Sequence, residues 1–282
     1  MYIDTHAHLF REGFNNELEE VIQRALDAGV DRIVVPGTNV RSSREAVELA
    51  ERFDFIFASV GIHPHEALNF DDSHLKEIEV LADHPKVVAI GEIGLDYHYN
   101  FSPHDRQMEV LREQIMLAAQ KDLPIVVHTR ESLEDTMTVI DRCIQERPHW
   151  MEGKRSARGV FHCFTGTANE AGRLIEKRFY VSYPGIVTFK NSPVLETLRN
   201  IGCENILLET DSPYMAPVPF RGKRKEMNLR ILFTLPGRFP KSLAFLKSSL
   251  PGSRHSARKN SSNSIADLGL SQPLSSQTWL EM

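Results

Sequence analysis

Histidines and carboxylates recur in this sequence directly after short apolar runs, at positions His6, His8, Glu92, His128, His162 and Asp211. Imidazole nitrogens and carboxylate oxygens are the usual ligands of zinc and of several other divalent ions. His6 and His8 lie two positions apart after the first run, so in an extended chain both side chains point to the same side and can chelate one ion. The pattern therefore predicts a metal site.

These six side chains are enough for two divalent ions if one carboxylate bridges them. Glu92 is the predicted bridge, because its place in the strand order lets it reach both groups of histidines. Taken singly, each residue has a simpler interpretation: His128 can be a core or surface histidine, and Asp211 can initiate a turn. The joint pattern, ligand-type residues at corresponding ends of five strands, favours the metal site.

Eight β-rich apolar runs must position these side chains. The runs are Tyr2–Asp4, Arg32–Pro36, Phe55–Gly61, Val87–Gly91, Pro124–Val127, Gly159–Phe161, Tyr180–Ser182 and Asn205–Leu208. Stretches with helical spacing separate them; Leu18, Ile22 and Ala25, for example, share one helix face. Alternating strands and helices imply a parallel sheet, and eight units favour an α/β fold of the (β/α)8 TIM-barrel type over an open sheet. A barrel builds its site at the carboxyl ends of its strands.

Six ordered segments resemble the signature segments of the TatD family, which are metal-dependent deoxyribonucleases of the amidohydrolase superfamily. They are Asp4–His8 (DTHAH), Gly61–His65 (GIHPH), Gly91–His98 (GEIGLDYH), Val127–Arg130 (VHTR), Phe161–Phe164 (FHCF) and Glu209–Tyr214 (ETDSPY). The resemblance runs from Met1 to about Arg224. It implies a two-metal hydrolase that cleaves phosphodiester bonds in DNA, with single-stranded ends as the expected substrate.

The resemblance also implies how the ligands divide between two ions. One ion would be held by His6, His8, Glu92 and Asp211, and the other by Glu92, His128 and His162. Glu92 and Asp211 are the catalytic candidates, with Asp211 accepting the proton of a metal-activated water. The nitrogen ligands suit zinc or manganese, whereas phosphate chemistry often uses magnesium, so Mg, Mn and Zn all stay open.

Basic side chains near this set are candidates for contacts with the substrate phosphate. His63 and His65 follow the third run, where they would donate to a non-bridging phosphate oxygen; a packed histidine pair is the alternative interpretation. Arg130 and Arg221 are further candidates, because guanidinium groups bind phosphate well. A solvated charge run explains the cationic cluster around Arg221 equally well.

Composition excludes several classes of protein. With 282 residues, 41% of them hydrophobic, the chain has the length and core of one α/β barrel. No apolar run approaches the roughly 18 residues of a membrane span, and no signal peptide is recognisable. Three scattered cysteines are typical of a reducing compartment, so a cytoplasmic location is expected. The acidic net charge of −5 argues for local rather than extended contacts with nucleic acid, and no obligate protein partner is evident.

The end of the chain departs from the family. After Arg224 the family continues with Asn-Glu-Pro and a helical segment, whereas this sequence continues with KEM and then turns serine-rich and poor in acidic residues, which is typical of irregular structure. Reverse translation of Glu226–Phe245, read from the third base of each codon with synonymous choices, yields NEPAYILYTAGEISKELGI. We therefore interpret residues 227–282 as a frameshift product and residues 1–226 as the hydrolase barrel, with its final helix missing or replaced by an irregular tail.

Three functions stay open on the sequence alone. A DNA phosphodiesterase is favoured by the ordered segments. An amidohydrolase-type enzyme acting on a lactone, amide or ester is the second; many such enzymes bridge their metals with a carboxylated lysine, and Glu92 points away from them. The third is an inactive, poorly folded product of a frameshifted gene.

Overall fold

The eight apolar runs form the eight strands of one parallel sheet. A computed structural model of the chain describes residues 2–10, 14, 17–152, 157–218 and 220, and in it the strands follow one another in chain order. They are β1 Tyr2–Asp4, β2 Val30–Pro36, β3 Ile56–Val60, β4 Val87–Asp96, β5 Ile125–Arg130, β6 Gly159–Phe161, β7 Phe179–Tyr183 and β8 Ile206–Leu208. Each strand pairs in parallel with the next. All eight predicted strands are therefore confirmed.

Hydrogen bonds between the first and last strands close the sheet into a barrel. The backbone amide of Thr5 donates to the carbonyl of Leu208 at 3.1 Å, and the amide of His8 donates to the carbonyl of Ser212 at 2.8 Å. Ala7 and Ser212 form a further parallel bridge. The fold is the predicted (β/α)8 TIM-type barrel, and its closure brings residues from the two ends of the sequence together.

Seven α-helices of the described residues connect the strands. They are α1 Leu18–Asp27, α2 Val40–Arg52, α3 Asp72–Ala82, α4 His104–Lys121, α5 Leu133–Glu146, α6 Ala168–Glu176 and α7 Val194–Asn200. The apolar face predicted for α1 is present, with Ile22 and Ala25 buried. Asn39 and Thr167 begin α2 and α6 by accepting hydrogen bonds from backbone amides of the first turn. Helical periodicity thus places one face of each helix on the sheet.

Strand β4 is longer than the sequence predicted. The expected run ends at Gly91, but the strand continues to Asp96 with all its residues buried. Gly94 makes this possible, because a Cβ atom there would lie 1.9 Å from the carbonyl oxygen of His128 on β5. Glu92 therefore lies inside the strand rather than at its end, with strand residues before and after it in the chain.

Part of the chain lies outside the described residues. It includes Arg221 and residues 227–282, so the missing final helix and the frameshift stay predictions. No helix of the described part is both long and apolar enough to cross a membrane. The cytoplasmic location also stays a prediction.

Candidate metal centre

Glu92 lies at the centre of a buried group of histidines at the carboxyl ends of the strands. Its Oε2 atom is 3.4 Å from His6 Nε2 and 3.7 Å from His8 Nε2. Its Oε1 atom is 2.9 Å from His162 Nε2 and 3.1 Å from His128 Nδ1. The two carboxylate oxygens face different groups of imidazoles, which is the geometry that a bridging ligand needs. We call these groups the Oε2 side and the Oε1 side.

The Oε2 side contains His6, His8 and Asp211, all of them buried. The Nε2 atoms of His6 and His8 are 3.1 Å apart, so the pair points in one direction as its spacing predicted. Asp211 Oδ1 lies 3.7 Å from His8 Nε2. The ring of His6 also stacks on the ring of His162, with centroids 4.0 Å apart. The two sides of Glu92 are therefore in direct contact.

The Oε1 side contains His63 as well as His128 and His162. His63 Nε2 is 3.4 Å from Glu92 Oε1, and His128 Nδ1 is 3.3 Å from His162 Nε2. The Nδ1 atom of His63 accepts a hydrogen bond from the backbone amide of His65, which turns the other ring nitrogen toward Glu92. The sequence suggested His63 as a phosphate contact; its position adds it to the donor atoms around Glu92.

The donor atoms on both sides suit divalent metal ions. Within the described residues, three groups bring their ligand atoms within 4.8 Å of one another: His6–His8–Glu92, His63–Glu92–His128 and His6–His162–Glu209. Ligand atoms bound to one ion at about 2.0–2.2 Å lie roughly 3–4 Å apart, and the distances measured here fall in that range. A nitrogen-rich donor set suits zinc or manganese better than magnesium.

The buried charges of the centre shift one another's pKa values. Burial raises the pKa of Glu92, but the neighbouring imidazoles of His162 and His63 outweigh it and hold this pKa well below its usual value. Burial lowers the pKa of His162, and the Glu92 carboxylate reverses the shift to well above the usual value. Burial raises the pKa of Asp211 well above its usual value.

Hydrogen bonds between β1 and the segment after β8 position the Oε2 side. Asp4 Oδ1 accepts from the backbone amide of Thr210 at 2.9 Å, and Asp4 Oδ2 accepts from its hydroxyl at 2.7 Å. The backbone amide of Asp211 donates to the carbonyl of His6 at 2.9 Å. Burial raises the pKa of Asp4 to about 7, although the hydrogen bonds from Thr210 oppose this shift. Asp211 reaches His8 only because the barrel closes.

Two buried glutamines of α4 position the strand ends on the Oε1 side. Gln107 Oε1 accepts from the backbone amide of Asp96 at 2.8 Å, and its Nε2 donates to the Asp96 carbonyl at 3.1 Å. Gln114 binds Ile62, next to His63, in the same way, at 2.7 and 3.0 Å. Seven positions apart, the two glutamines share one helix face. Each glutamine forms hydrogen bonds with both the backbone amide and the backbone carbonyl of one residue near the metal centre.

Asp96 is a site residue that the sequence analysis did not single out. Its Oδ2 atom is 3.0 Å from His128 Nε2 and 3.0 Å from His65 Nε2. A carboxylate that binds the outer nitrogen of a histidine fixes the ring so that the other nitrogen faces the metal, and here His128 Nδ1 faces Glu92. Four positions after Glu92 on one strand, Asp96 shares its face, and this spacing was the signal in the sequence.

Glu209 faces the Nδ1 atom of His162, the ring nitrogen that does not face Glu92. It is fully buried, and its Oε2 accepts from the Ser182 hydroxyl at 2.6 Å while its Oε1 accepts from the Cys163 amide at 2.7 Å. Glu209 Oε1 lies 3.8 Å from His162 Nδ1. The sequence offered no means of separating its role from that of Asp211, because the direction of each side chain depends on the backbone after β8.

The remaining candidates for phosphate contacts lie farther from Glu92. His65 contacts Asp96 and is partly exposed. Arg130 is exposed, and its guanidinium carbon lies 4.8 Å from the ring centroid of Tyr99. Their contacts with a phosphate stay predictions, as does that of Arg221, which lies outside the described residues.

Comparisons with known proteins identify both sequences and solved structures that are similar to this chain. The family described as TatD related DNase matches residues 3–230. The uncharacterized metal-dependent hydrolase YabD of Bacillus subtilis is 44% identical over 227 residues, which cover 80% of this chain and 86% of that protein. The 3'-5' ssDNA/RNA exonuclease TatD of Shigella flexneri is 33% identical over 216 residues, covering 76% and 80%. The crystal structure of YjjV, a TatD homolog from Escherichia coli K12, aligns with a TM-score of 0.75 at 29% identity, covering 88% and 89%.

Proposed function

This chain belongs to the TatD family of metal-dependent hydrolases, and we propose that it cleaves phosphodiester bonds in DNA at single-stranded ends. The observation that carries the proposal is the position of Glu92, whose two oxygens face separate groups of imidazoles. A shared carboxylate of this kind would hold two ions together, and paired ions stabilise the attacking and leaving oxygens in displacement at phosphorus. The DNase family and a relative named as an ssDNA/RNA exonuclease support this substrate class.

The ligand assignment follows the two sides of Glu92. We propose that His6, His8, Glu92 and Asp211 hold one ion, and that Glu92, His128 and His162 hold the other. When bound, the ions lower the pKa of water and neutralise charge on phosphate oxygens. His63 adds a nitrogen donor on the Oε1 side, where burial lowers its pKa to about 4 and keeps the ring neutral near pH 7.

Asp211 is the proposed acceptor of the proton that the attacking water releases. Its buried carboxylate borders the Oε2 side, 3.7 Å from His8 Nε2, so it would lie beside a water held by the ion on that side. A general base is most effective when its pKa lies near the working pH. Glu92 is less suited to this role, because the surrounding imidazoles hold its pKa low.

Cleavage of a labelled single-stranded oligonucleotide by the metal-reconstituted full-length chain tests the proposal. We expect cleavage that depends on Mg, Mn or Zn and stops when a chelator removes the metal. A panel of lactones and carboxylic esters is the comparison. Hydrolysis of that panel without cleavage of the oligonucleotide would support the amidohydrolase alternative and reject a DNA phosphodiesterase.

We also propose that residues 227–282 are a frameshift product. The family match ends at residue 230, near the point where the sequence departs after Arg224. Replacing residues 227–282 with the shifted-frame sequence is expected to raise the melting temperature. Burial of each large apolar side chain of a barrel helix contributes roughly 1.5–3 kcal/mol. Equal melting temperatures for the two chains would contradict the interpretation.

A further inference from the structure

Exposed apolar side chains are concentrated beside the metal centre. Among the described residues, the large hydrophobic side chains with high exposure are Leu68, Val80, Tyr99, Phe101 and Tyr214. All but Val80 lie in segments that follow β3, β4 or β8 at the carboxyl end of the barrel, whereas Val80 lies on α3. Single exposed apolar residues are ordinary on protein surfaces, but a group of them beside a site indicates a binding surface.

Tyr99 and Phe101 form one continuous aromatic surface, which we call the aromatic rim. Their rings are stacked, with centroids 5.3 Å apart and planes 28° apart. Tyr99 is 41% exposed and Phe101 is 58% exposed. The ring of His65 supports both from below, edge-on, at 4.8 Å from Phe101 and 5.4 Å from Tyr99. The rim is therefore a supported apolar surface with ring area open to solvent.

His65 connects the aromatic rim to the Oε1 side. Its ring centroid is 4.4 Å from that of His63, and its Nε2 is 3.0 Å from Asp96, the carboxylate that also contacts His128. The rim thus begins one side chain away from the candidate ligands. Successive nucleotides of one strand rise by about 3.4 Å along the axis of duplex DNA, and the backbone of an unpaired strand can extend farther per nucleotide. A strand with a phosphate at the centre can therefore place a nearby base on the rim.

A positive charge lies next to the aromatic rim. The guanidinium of Arg130 lies over the ring of Tyr99, with its carbon 4.8 Å from the centroid. In the part of the chain that the structure describes, Arg130 forms no ion pair with a carboxylate, while the nearby Glu131 is paired with His98 at 2.8 Å. An exposed guanidinium can bind the phosphate of a nucleotide, and the stacked rings beside it can stack on the base.

We propose that the aromatic rim binds unpaired nucleobases of the substrate by stacking, while Arg130 contacts the phosphate beside them. The proposal rests on the proposed function and deepens it, because it assigns the selection of single-stranded ends to a defined surface. Every base offers a π-face, so such binding tolerates any sequence. Bases inside a duplex are already stacked on their neighbours and must be unstacked before they can bind.

The test compares two strands of equal length and charge. One is a labelled oligodeoxyadenylate, and the other carries an abasic tetrahydrofuran sugar at every position. The full-length chain and the variants Tyr99→Ala, Phe101→Ala and Tyr99→Trp are measured with both strands. Binding is followed by fluorescence anisotropy in the presence of a chelator, and cleavage is followed with metal present. Val80→Ala is the matched control, since Val80 is a strongly exposed apolar residue that lies on α3 rather than at the carboxyl ends of the strands.

We expect Tyr99→Ala and Phe101→Ala each to raise the Kd or KM for oligodeoxyadenylate by roughly 5- to 150-fold, the loss of about one stacked base. Tyr99→Trp and Val80→Ala are expected to keep the original value, and the abasic strand is expected to bind weakly to every chain. Equal affinity of the unaltered chain for both strands would overturn the aromatic rim as a base-binding surface, as would unchanged values in the alanine variants. Absence of cleavage of either strand with metal present would instead overturn the proposed function.

Discussion

The Oε2 side and the Oε1 side use the same kinds of ligand in different surroundings. On the Oε2 side the side chains of His6, His8 and Asp211 are 1%, 5% and 11% exposed. The strands that carry them are joined by the hydrogen bonds of Asp4 to Thr210. On the Oε1 side His162 and His63 are similarly buried, but the side chain of His128 is 19% exposed. His65 beyond it leads to the aromatic rim. Solvent screens buried charges less than exposed ones. We therefore expect the enclosed Oε2 side to hold its ion more tightly and the open Oε1 side to receive the substrate.

The largest expected effect comes from the residue that both sides share. Glu92→Ala is expected to lose both ions and all measurable cleavage, because each ion loses a charged ligand. His128→Ala should lose only the ion of the Oε1 side. Metal content after gel filtration measures the difference, with the surface variant Glu79→Ala as the control for folding and handling. Two tightly bound ions in the Glu92→Ala protein would rule out the bridging assignment.

The next effect tests the proton acceptor of the Oε2 side. Asp211→Asn keeps the side-chain volume and removes the basic oxygen, so turnover should fall by roughly 10²–10⁴-fold, as for a lost general base. Asp83→Asn, on an exposed aspartate that pairs with Lys121, is the control and should leave turnover unchanged. Steady-state kinetics at saturating metal separate this role from ligation. Near-normal turnover of Asp211→Asn would exclude Asp211 as the acceptor.

A smaller effect is expected behind the Oε1 side. Asp96→Asn weakens the bond that holds His128, and loss of such a carboxylate partner typically reduces metal affinity by about 10–100-fold. The ion of the Oε2 side should keep its affinity, so competition with a chelator should show one weakened site and one unchanged site. Equal weakening of both sites would show that Asp96 acts on the whole fold rather than on His128.

The smallest effect concerns the helix that supports the Oε1 side. Gln107→Ala leaves the buried amide and carbonyl of Asp96 without their side-chain partner, which costs roughly 1–3 kcal/mol of unfolding free energy. Urea unfolding of the metal-free protein measures this cost. Gln120→Ala on the same helix, where the glutamine is exposed and contacts Glu79, is the control. If the two variants have equal unfolding free energies, α4 does not position the Oε1 side.

Local sequence pattern was sufficient for most of the fold. The apolar runs predicted all eight strands, because a parallel strand buried on both faces needs a nearly continuous apolar stretch. The predicted run ends at Gly91, whereas β4 continues to Asp96. Only the close approach of β5 to Gly94 shows why the strand continues to Asp96.

Sequence pattern could place a supporting carboxylate such as Asp96 on the face of Glu92, but it could not assign the roles of the supporting carboxylates. Asp96 and Glu209 lie in the segments that resemble the family, beside residues with predicted roles. Both are buried acidic residues that face the outer nitrogen of a histidine. Whether a carboxylate binds a metal or orients a ligand depends on the direction of its side chain, and neither residue type nor spacing contains that information.

The sequence by itself determined which residue types stand at the strand ends, and therefore that imidazoles and carboxylates would gather at one end of a barrel. The tertiary structure decided which atoms face one another: His6 and His8 toward Glu92 Oε2, and His128 and His162 toward Oε1. It also placed His63 beside Glu92 and Tyr99 with Phe101 on the rim. The physical reason is that these contacts join residues from different strands, so they form only when the barrel closes and the helices pack, whereas strand formation follows from local burial and periodicity.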